Sequence, residues 1–155
     1  MGSSAPVRSA GVQYDRGVTH IIPTPETLRE SLRPLWGGGD FLMVALFGSW
    51  ATGRGGPHSD LDLAFLPRNG MDEVAVTSEV IRLTHWNDVD VVNLLHADAL
   101  LAMQIAESGI VLFETDPSVF AEFRSLAFRR YVDTGKLRRA QQQALDDFEQ
   151  RHEPR

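Results

Sequence analysis

The sequence predicts an α+β fold in which four strands alternate with helices. Short apolar runs of strand length are separated by longer segments whose apolar residues recur at helical spacing. Glycine or proline stands at most of the junctions between these segments. A chain of 155 residues has the length of one ordinary domain. We therefore expect a single domain in which helices flank one four-stranded sheet.

The first predicted elements are a helix and a buried strand. The segment 24–26 (Thr-Pro-Glu) suits a helix start, because a hydroxyl can cap free amides, and proline and an acid fit the first turn. We expect this helix to cover residues 25–36 and to stop at the three glycines that follow. Residues 41–47 are a continuous apolar run that leads into a glycine turn, which is typical of a buried strand.

The later elements follow from the same two signals, apolar spacing and turn residues. In chain order we expect strand 61–66, helix 71–85, strand 88–95, helix 97–108, strand 110–113 and a last helix that opens at Asp116-Pro117 and bends or ends at Gly135. The predicted organisation is a flexible N-terminal arm over residues 1–23, a domain with a C-terminal helix over 24–145, and a polar tail over 146–155.

Composition excludes several classes of function. The net charge of −6 disfavours a broad phosphate-binding surface, so we expect no direct contact with nucleic acid. No apolar run approaches the roughly 20 residues that a membrane span needs, so we expect no membrane partner and a cytoplasmic location. Cysteine is absent, which fits a reducing compartment and leaves only oxygen or imidazole ligands for any metal.

Two carboxylates stand two residues apart in the second predicted strand. Strand periodicity places Asp60 and Asp62 on one face and the intervening Leu61 on the other. Such a pair repels itself unless a cation lies between the carboxylates, and hard oxygen ligands suit Mg²⁺ or Mn²⁺. The alternative is structural: Asp60 caps a turn, and Asp62 faces water at a sheet edge.

Two further features favour a metal-dependent site. Gly48-Ser49 directly follows a buried strand, where exposed amides and a hydroxyl can receive phosphate oxygens, although a tight turn alone also explains the glycine. Asp90 lies among valines in the next strand, where a charge without a role should be rare. Asp88 shares its face and is the second choice for a third metal ligand.

These residues form a recognisable pattern. Gly48-Ser49, ten intervening residues and then Asp60-Leu61-Asp62 resemble the signature of the DNA polymerase β-like nucleotidyltransferase superfamily. The strand around Asp90 and the segments 109–114 and 130–133 resemble the minimal nucleotidyltransferase (MNT) antitoxins. The similarity extends over about residues 24–135, which is most of the chain.

The resemblance implies a polymerase β-like fold with a mixed sheet, ATP as donor and two Mg²⁺ ions, or Mn²⁺. It assigns catalysis and metal binding to Asp60, Asp62 and Asp90. Gly48 and Ser49 would hold the terminal phosphates, and Arg54 is the nearest positive charge in the loop. In MNT antitoxins the acceptor is a tyrosine of a HEPN-type ribonuclease toxin, which adenylylation inactivates. The implied activity is that of a protein adenylyltransferase in a hetero-oligomer with such a toxin.

One position departs from the family. Its members often carry arginine directly after Gly-Ser, where this chain has Trp50. The simplest interpretation is a packing residue; the others are a cover for the nucleotide or toxin and a weaker triphosphate site. Two alternative functions stay open: a nucleotidyltransferase acting on a small molecule such as an aminoglycoside, and a decayed binding module that neutralises its partner by occlusion.

Overall fold

A computed structural model describes residues 12–15 and 18–152. In chain order the elements are β1 (Val12–Asp15), β2 (Val18–Ile21), α1 (Pro25–Ser31), α2 (Arg33–Trp36), β3 (Phe41–Leu46), α3 (Gly48–Ala51), β4 (Leu61–Pro67), α4 (Glu73–Thr84), β5 (Val89–Asn93), α5 (Ala99–Ser108), β6 (Ile110–Glu114), α6 (Val119–Asp133) and α7 (Gly135–His152).

The central sheet has four strands in the order β5-β4-β3-β6. Strand β3 is antiparallel to both of its neighbours, β4 and β6, whereas β4 and β5 run parallel. The parallel pair is joined through α4, as a parallel connection requires a crossover. The predicted mixed four-stranded sheet flanked by helices is confirmed.

Helices cover both faces of this sheet, and β4 shows how its side chains are divided between them. Leu61, Leu63 and Phe65 are fully buried in a cluster that includes residues of α1 and α4. Ala64 points to the opposite face and packs with residues of α5 and α6. Because alternate residues share a face, Asp62 lies on the side of Ala64, at the start of the strand.

The predicted helix over 25–36 is divided in two. Helix α1 ends at Ser31, Leu32 follows as its cap, and α2 begins at Arg33. Pro34 occupies the first turn of α2, where its missing N–H is tolerated; within a continuous helix it would remove a hydrogen bond and clash with the preceding turn. The break is therefore a consequence of Pro34, which the prediction did not weigh.

Two helices begin later than predicted because an aspartate caps each of them. The Asp72 carboxylate accepts the amide of Ala75 at 3.0 Å, so α4 begins at Glu73. The Asp98 carboxylate accepts the amides of Leu100 and Leu101 at 2.9 and 2.8 Å, and α5 begins at Ala99. Such caps satisfy amides that have no partner within the helix.

The two ends of the chain differ from their predictions. Strands β1 and β2 pair antiparallel within the arm predicted over 1–23, in register Val12 with Ile21; the rest of the arm up to residue 17 lies outside the described residues. The predicted boundary at 145–146 falls inside α7, which continues to His152. Among the helices described here, none has the length and apolar character needed to cross a membrane.

Burial in the sheet makes a direct prediction for stability. Leu63→Ala removes a fully buried side chain and should lower the free energy of unfolding by about 3 kcal/mol. The control is Leu145→Ala in α7, where the side chain is 58% exposed and the change should stay within about 0.5 kcal/mol. Urea unfolding measures both values; equal losses would contradict the core described here.

Candidate active site

A sharp turn links the end of β3 to the short helix α3. The Phe47 amide still donates to the Asp62 carbonyl oxygen at 3.0 Å, after which the chain leaves the sheet. Gly48 has φ +67, in the left-handed region that disfavours side chains with a Cβ. The predicted short helical turn after the glycine is present as α3, over Gly48–Ala51.

Gly48 also leaves room for the carboxylate of Asp62. A Cβ added to Gly48 would lie 2.0 Å from Asp62 Oδ2 and 2.8 Å from its Cγ. This close approach requires glycine for a second reason, independent of the positive φ. The predicted phosphate-binding turn and the predicted metal ligand are therefore in direct contact.

The three predicted acids lie at one end of the parallel strand pair. Asp62 in β4 is the register partner of Asp90 in β5, and Asp60 lies one residue before β4. Burial raises the pKa of the Asp62 carboxyl, and the negative charges of Asp90 and Asp60 raise it further. Asp60 and Asp90 are exposed, whereas Asp62 is half-buried. Asp62 is thus the least exposed of the three acids.

The donor chemistry of this group fits a hard cation. Carboxylate oxygens are the ligands that Mg²⁺ and Mn²⁺ prefer, and a cation would relieve the repulsion that raises the pKa of Asp62. As the side chains stand, no three His, Cys, Asp or Glu residues in the described ranges are arranged to hold a metal ion. The carboxylates of Asp60 and Asp90 are exposed to solvent.

The loop after α3 folds back on the helix. The Arg54 amide donates to the Ser49 carbonyl at 2.9 Å, and Arg54 Nε donates to the Thr52 hydroxyl at 3.2 Å. The Thr52 hydroxyl in turn lies 3.2 Å from the carbonyl oxygens of Gly48 and Ser49. These contacts tie the predicted phosphate ligand Arg54 to the glycine turn. Thr52 was missed in the sequence, although its position four residues after Gly48 suits a helix-end hydroxyl.

Trp50 has the contacts of a packing residue. Its ring meets that of Trp86 edge to face, with centroids 5.5 Å apart and an interplanar angle of 89°. It also packs against the cluster below the sheet and against the Cα of Gly55, where an added Cβ would lie 2.3 Å from the indole. These contacts agree with the simplest interpretation of the departure from the family.

Asp88, the second choice for the third acid, lies just before β5. Its carbonyl oxygen accepts the Leu61 amide at 2.8 Å, and its side chain is exposed. Asp90 lies inside the strand and opposite Asp62, and its charge contributes, after burial, to the raised pKa of Asp62. The geometry favours Asp90 over Asp88 for the third position.

Comparison with known proteins places this arrangement in a family. The sequence profile of the family described as "Polymerase beta, Nucleotidyltransferase" matches residues 39–118. A curated relative, the protein adenylyltransferase MntA of Aphanizomenon flos-aquae (strain 2012/KM1/D3), is 29% identical over 144 residues, which cover 84% of this chain and 95% of the relative.

Solved structures share the fold. A chain in a crystal structure of a toxin-antitoxin with AMP-PNP superposes with a TM-score of 0.65 at 23% identity, covering 81% of this chain and 98% of that one. A chain in the structure of a tri-AMPylated Shewanella oneidensis HEPN toxin in complex with MNT antitoxin gives a TM-score of 0.61 at 21% identity, with the same coverage. The matched profile spans more than half of the sequence and includes the glycine turn and all three acids, so the chain belongs to the polymerase β nucleotidyltransferase family.

Proposed function

We propose that this protein is an antitoxin that transfers AMP from ATP to a tyrosine hydroxyl of a HEPN-family toxin. The observation that carries the proposal is the contact between Gly48 and the carboxylate of Asp62, which joins a phosphate-binding turn to a group of acids. Nucleotidyl transfer requires the phosphate-binding turn and the acids to lie next to each other, because the bound triphosphate must contact the metal ions that the acids hold.

The acids have distinct parts in this reaction. Asp60, Asp62 and Asp90 would hold two Mg²⁺ ions, which Mn²⁺ can replace. When bound, such ions activate the attacking hydroxyl and neutralise the charge of the triphosphate and of the departing pyrophosphate. Asp90, which is exposed and lies opposite Asp62, would accept the proton of the incoming hydroxyl.

The turn binds the nucleotide. Gly48 lets phosphate oxygens approach the backbone, the Ser49 hydroxyl offers a donor, and Arg54 offers a positive charge tied to the same turn. In the transfer, the acceptor oxygen forms a bond to the α-phosphorus as the bond to the pyrophosphate oxygen breaks. The products are the adenylylated acceptor, pyrophosphate and the proton taken up by the base.

The relatives support a protein acceptor. The curated relative is named a protein adenylyltransferase, and this chain covers 95% of its length. One structural neighbour contains AMP-PNP and another contains a tri-AMPylated HEPN toxin with its MNT antitoxin. We therefore propose a hetero-oligomer with a HEPN toxin.

The proposed location of the protein is the cytoplasm. The use of ATP as donor and the absence of cysteine support this location.

The test is transfer of label from [α-³²P]ATP to the HEPN toxin of the same genome in the presence of Mg²⁺. Asp60→Asn and Asp90→Asn should each lower the transfer rate at least about hundredfold, because each removes a proposed metal ligand. The matched control is Asp88→Asn, which removes an exposed carboxylate next to the site and should retain most of the activity.

Two outcomes would contradict the proposal. Equal transfer by wild type and both variants would remove the acids from catalysis. Protection of cells from the toxin by a variant lacking all three acids would instead show that binding alone neutralises the partner.

A second test uses the contact at Gly48. Gly48→Ala should lower transfer about hundredfold, because the new Cβ must displace the Asp62 carboxylate by about an ångström or more. Gly53→Ala is the matched control: Gly53 has a similar φ of +73, but nothing lies within 4 Å of its added Cβ. The positive φ should cost each variant about 1 kcal/mol of stability, and Gly48→Ala should lose more because its Cβ also clashes with Asp62. Equal losses of activity would assign the effect to backbone strain instead.

A third test follows from the raised pKa of Asp62. The folded state holds this proton more tightly than the unfolded state, so the apoprotein loses stability as the pH rises from the ordinary carboxyl value of 3.8 through the raised pKa. Asp62→Asn should therefore raise Tm in EDTA at pH 7, with a smaller gain at pH 4, while abolishing transfer. Asp147→Asn on α7 is the control; a lower Tm for Asp62→Asn than for this control at pH 7 would contradict the electrostatic account.

A further inference from the structure

Two indole groups hold the backbone directly before the first proposed metal ligand. Trp86 Nε1 donates to the Ser59 carbonyl oxygen at 3.1 Å, and Trp50 Nε1 approaches the same oxygen at 3.5 Å. Ser59 is the residue before Asp60. Its carbonyl is part of the peptide bond that leads into Asp60, so the indoles act on the backbone of that residue.

Ser59 is also held through its amide and its side chain. The Ser59 amide donates to the Gly56 carbonyl at 2.9 Å, and the Ser59 hydroxyl accepts the Gly56 amide at 3.0 Å. After Asp60, the Leu61 amide donates to the Asp88 carbonyl at 2.8 Å and starts the pairing of β4 with β5. Asp60 itself lies outside the strand, with an exposed side chain between two fixed neighbours.

The indoles are themselves well anchored. Trp86 is 9% exposed and belongs to the main core cluster. Trp50 meets it edge to face and supports the loop through Gly55, whose Cα lies against the ring. An aromatic pair of this kind restricts both rings, so the two N–H groups are aimed before any ligand binds.

The carbonyl of Ser59 is also where the three parts of the site meet. Trp50 directly follows Gly48-Ser49, so it belongs to the phosphate-binding turn. Trp86 follows α4 and precedes the strand that carries Asp90. The indoles of both segments therefore donate to the Ser59 carbonyl, directly before Asp60. This one oxygen atom connects the glycine turn, the residue before Asp60 and the segment that leads to Asp90.

We propose that Trp86, with a smaller contribution from Trp50, is a positioning residue that sets the place of the Asp60 carboxylate for metal binding. The inference rests on the metal-binding role of Asp60 in the proposed function. It also gives a role to the tryptophan after Gly-Ser: the Trp50 indole donates to the Ser59 carbonyl in the loop that leads to Asp60. Groups that orient a metal ligand without touching the metal commonly change its affinity about tenfold or more when removed.

The experiment compares the three tryptophans of the chain. Trp86→Phe and Trp50→Phe each remove one N–H from Ser59 and keep an aromatic ring. Trp36→Phe is the matched control, because Trp36 is also partly buried and stacks on Phe113 at 5.3 Å, away from Ser59. Binding of Mn²⁺ alone is measured by the electron paramagnetic resonance signal of the free ion, with Asp60→Asn as the reference for a lost ligand.

We expect Kd for Mn²⁺ to rise about tenfold in Trp86→Phe and less in Trp50→Phe, whose hydrogen bond is longer, with no change in Trp36→Phe. If Trp86→Phe does not fold, 3-benzothienylalanine at position 86 retains the shape of the ring and replaces the N–H by sulfur. An unchanged Kd in either folded variant at position 86, or an equal rise in Trp36→Phe, would overturn the proposal.

The two proposals fail separately. Mn²⁺ binding that depends on Asp60 and Trp86, without transfer of AMP to a toxin, would uphold the positioning role and reject the proposed acceptor. Wild-type protein that binds Mn²⁺ no better than Asp60→Asn would reject the positioning role, whatever the result of the transfer assay.

Discussion

The close approach of the Asp62 carboxylate to the Cα of Gly48 is the constraint around which the site is built. It needs a residue without a side chain at the end of β3, and it needs β3 and β4 to be neighbours in a register that brings these two positions together. The hydrogen bond from the Phe47 amide to the Asp62 carbonyl maintains that register up to the last residue before the turn. The glycine turn and the Asp62 carboxylate are thereby joined through the sheet.

Placing three acids at one end of the β4–β5 pair has an electrostatic cost. Asp62 is half-buried beside two other negative charges, and both conditions raise its pKa. The ionised carboxylate is therefore less stable in the folded apoprotein than in water. The rest of the sheet offsets this cost, since both faces of β4 beyond Asp62 are buried in apolar clusters. The arrangement resembles other functional sites, where local strain or charge persists because the surrounding core stabilises it.

The loop between α3 and β4 is rich in glycine, yet its backbone is held by specific contacts just before Asp60. Gly53 and Gly55 loosen the backbone, yet the contacts of Trp50 and Trp86 with Ser59 fix it again just before Asp60. The tryptophan that departs from the family pattern thus has an explanation in packing. Positive charge at the turn comes instead from Arg54, which is bound to it through Thr52.

Sequence alone was sufficient for the class of fold and the family, because these depend on local alternation and on a spaced motif. The catalytic and binding roles of Asp60, Asp62, Asp90 and Gly48 stay predictions. Sequence alone did not predict the break before Pro34 or the pairing of β1 with β2, although both signals are local.

Tertiary structure alone decided the rest. The pairing of Asp62 with Asp90, the contact of Asp62 with Gly48 and the meeting of two indoles at Ser59 join residues far apart in the chain. Strand register and core packing determine such contacts, and neither is encoded in the spacing of residues along one segment.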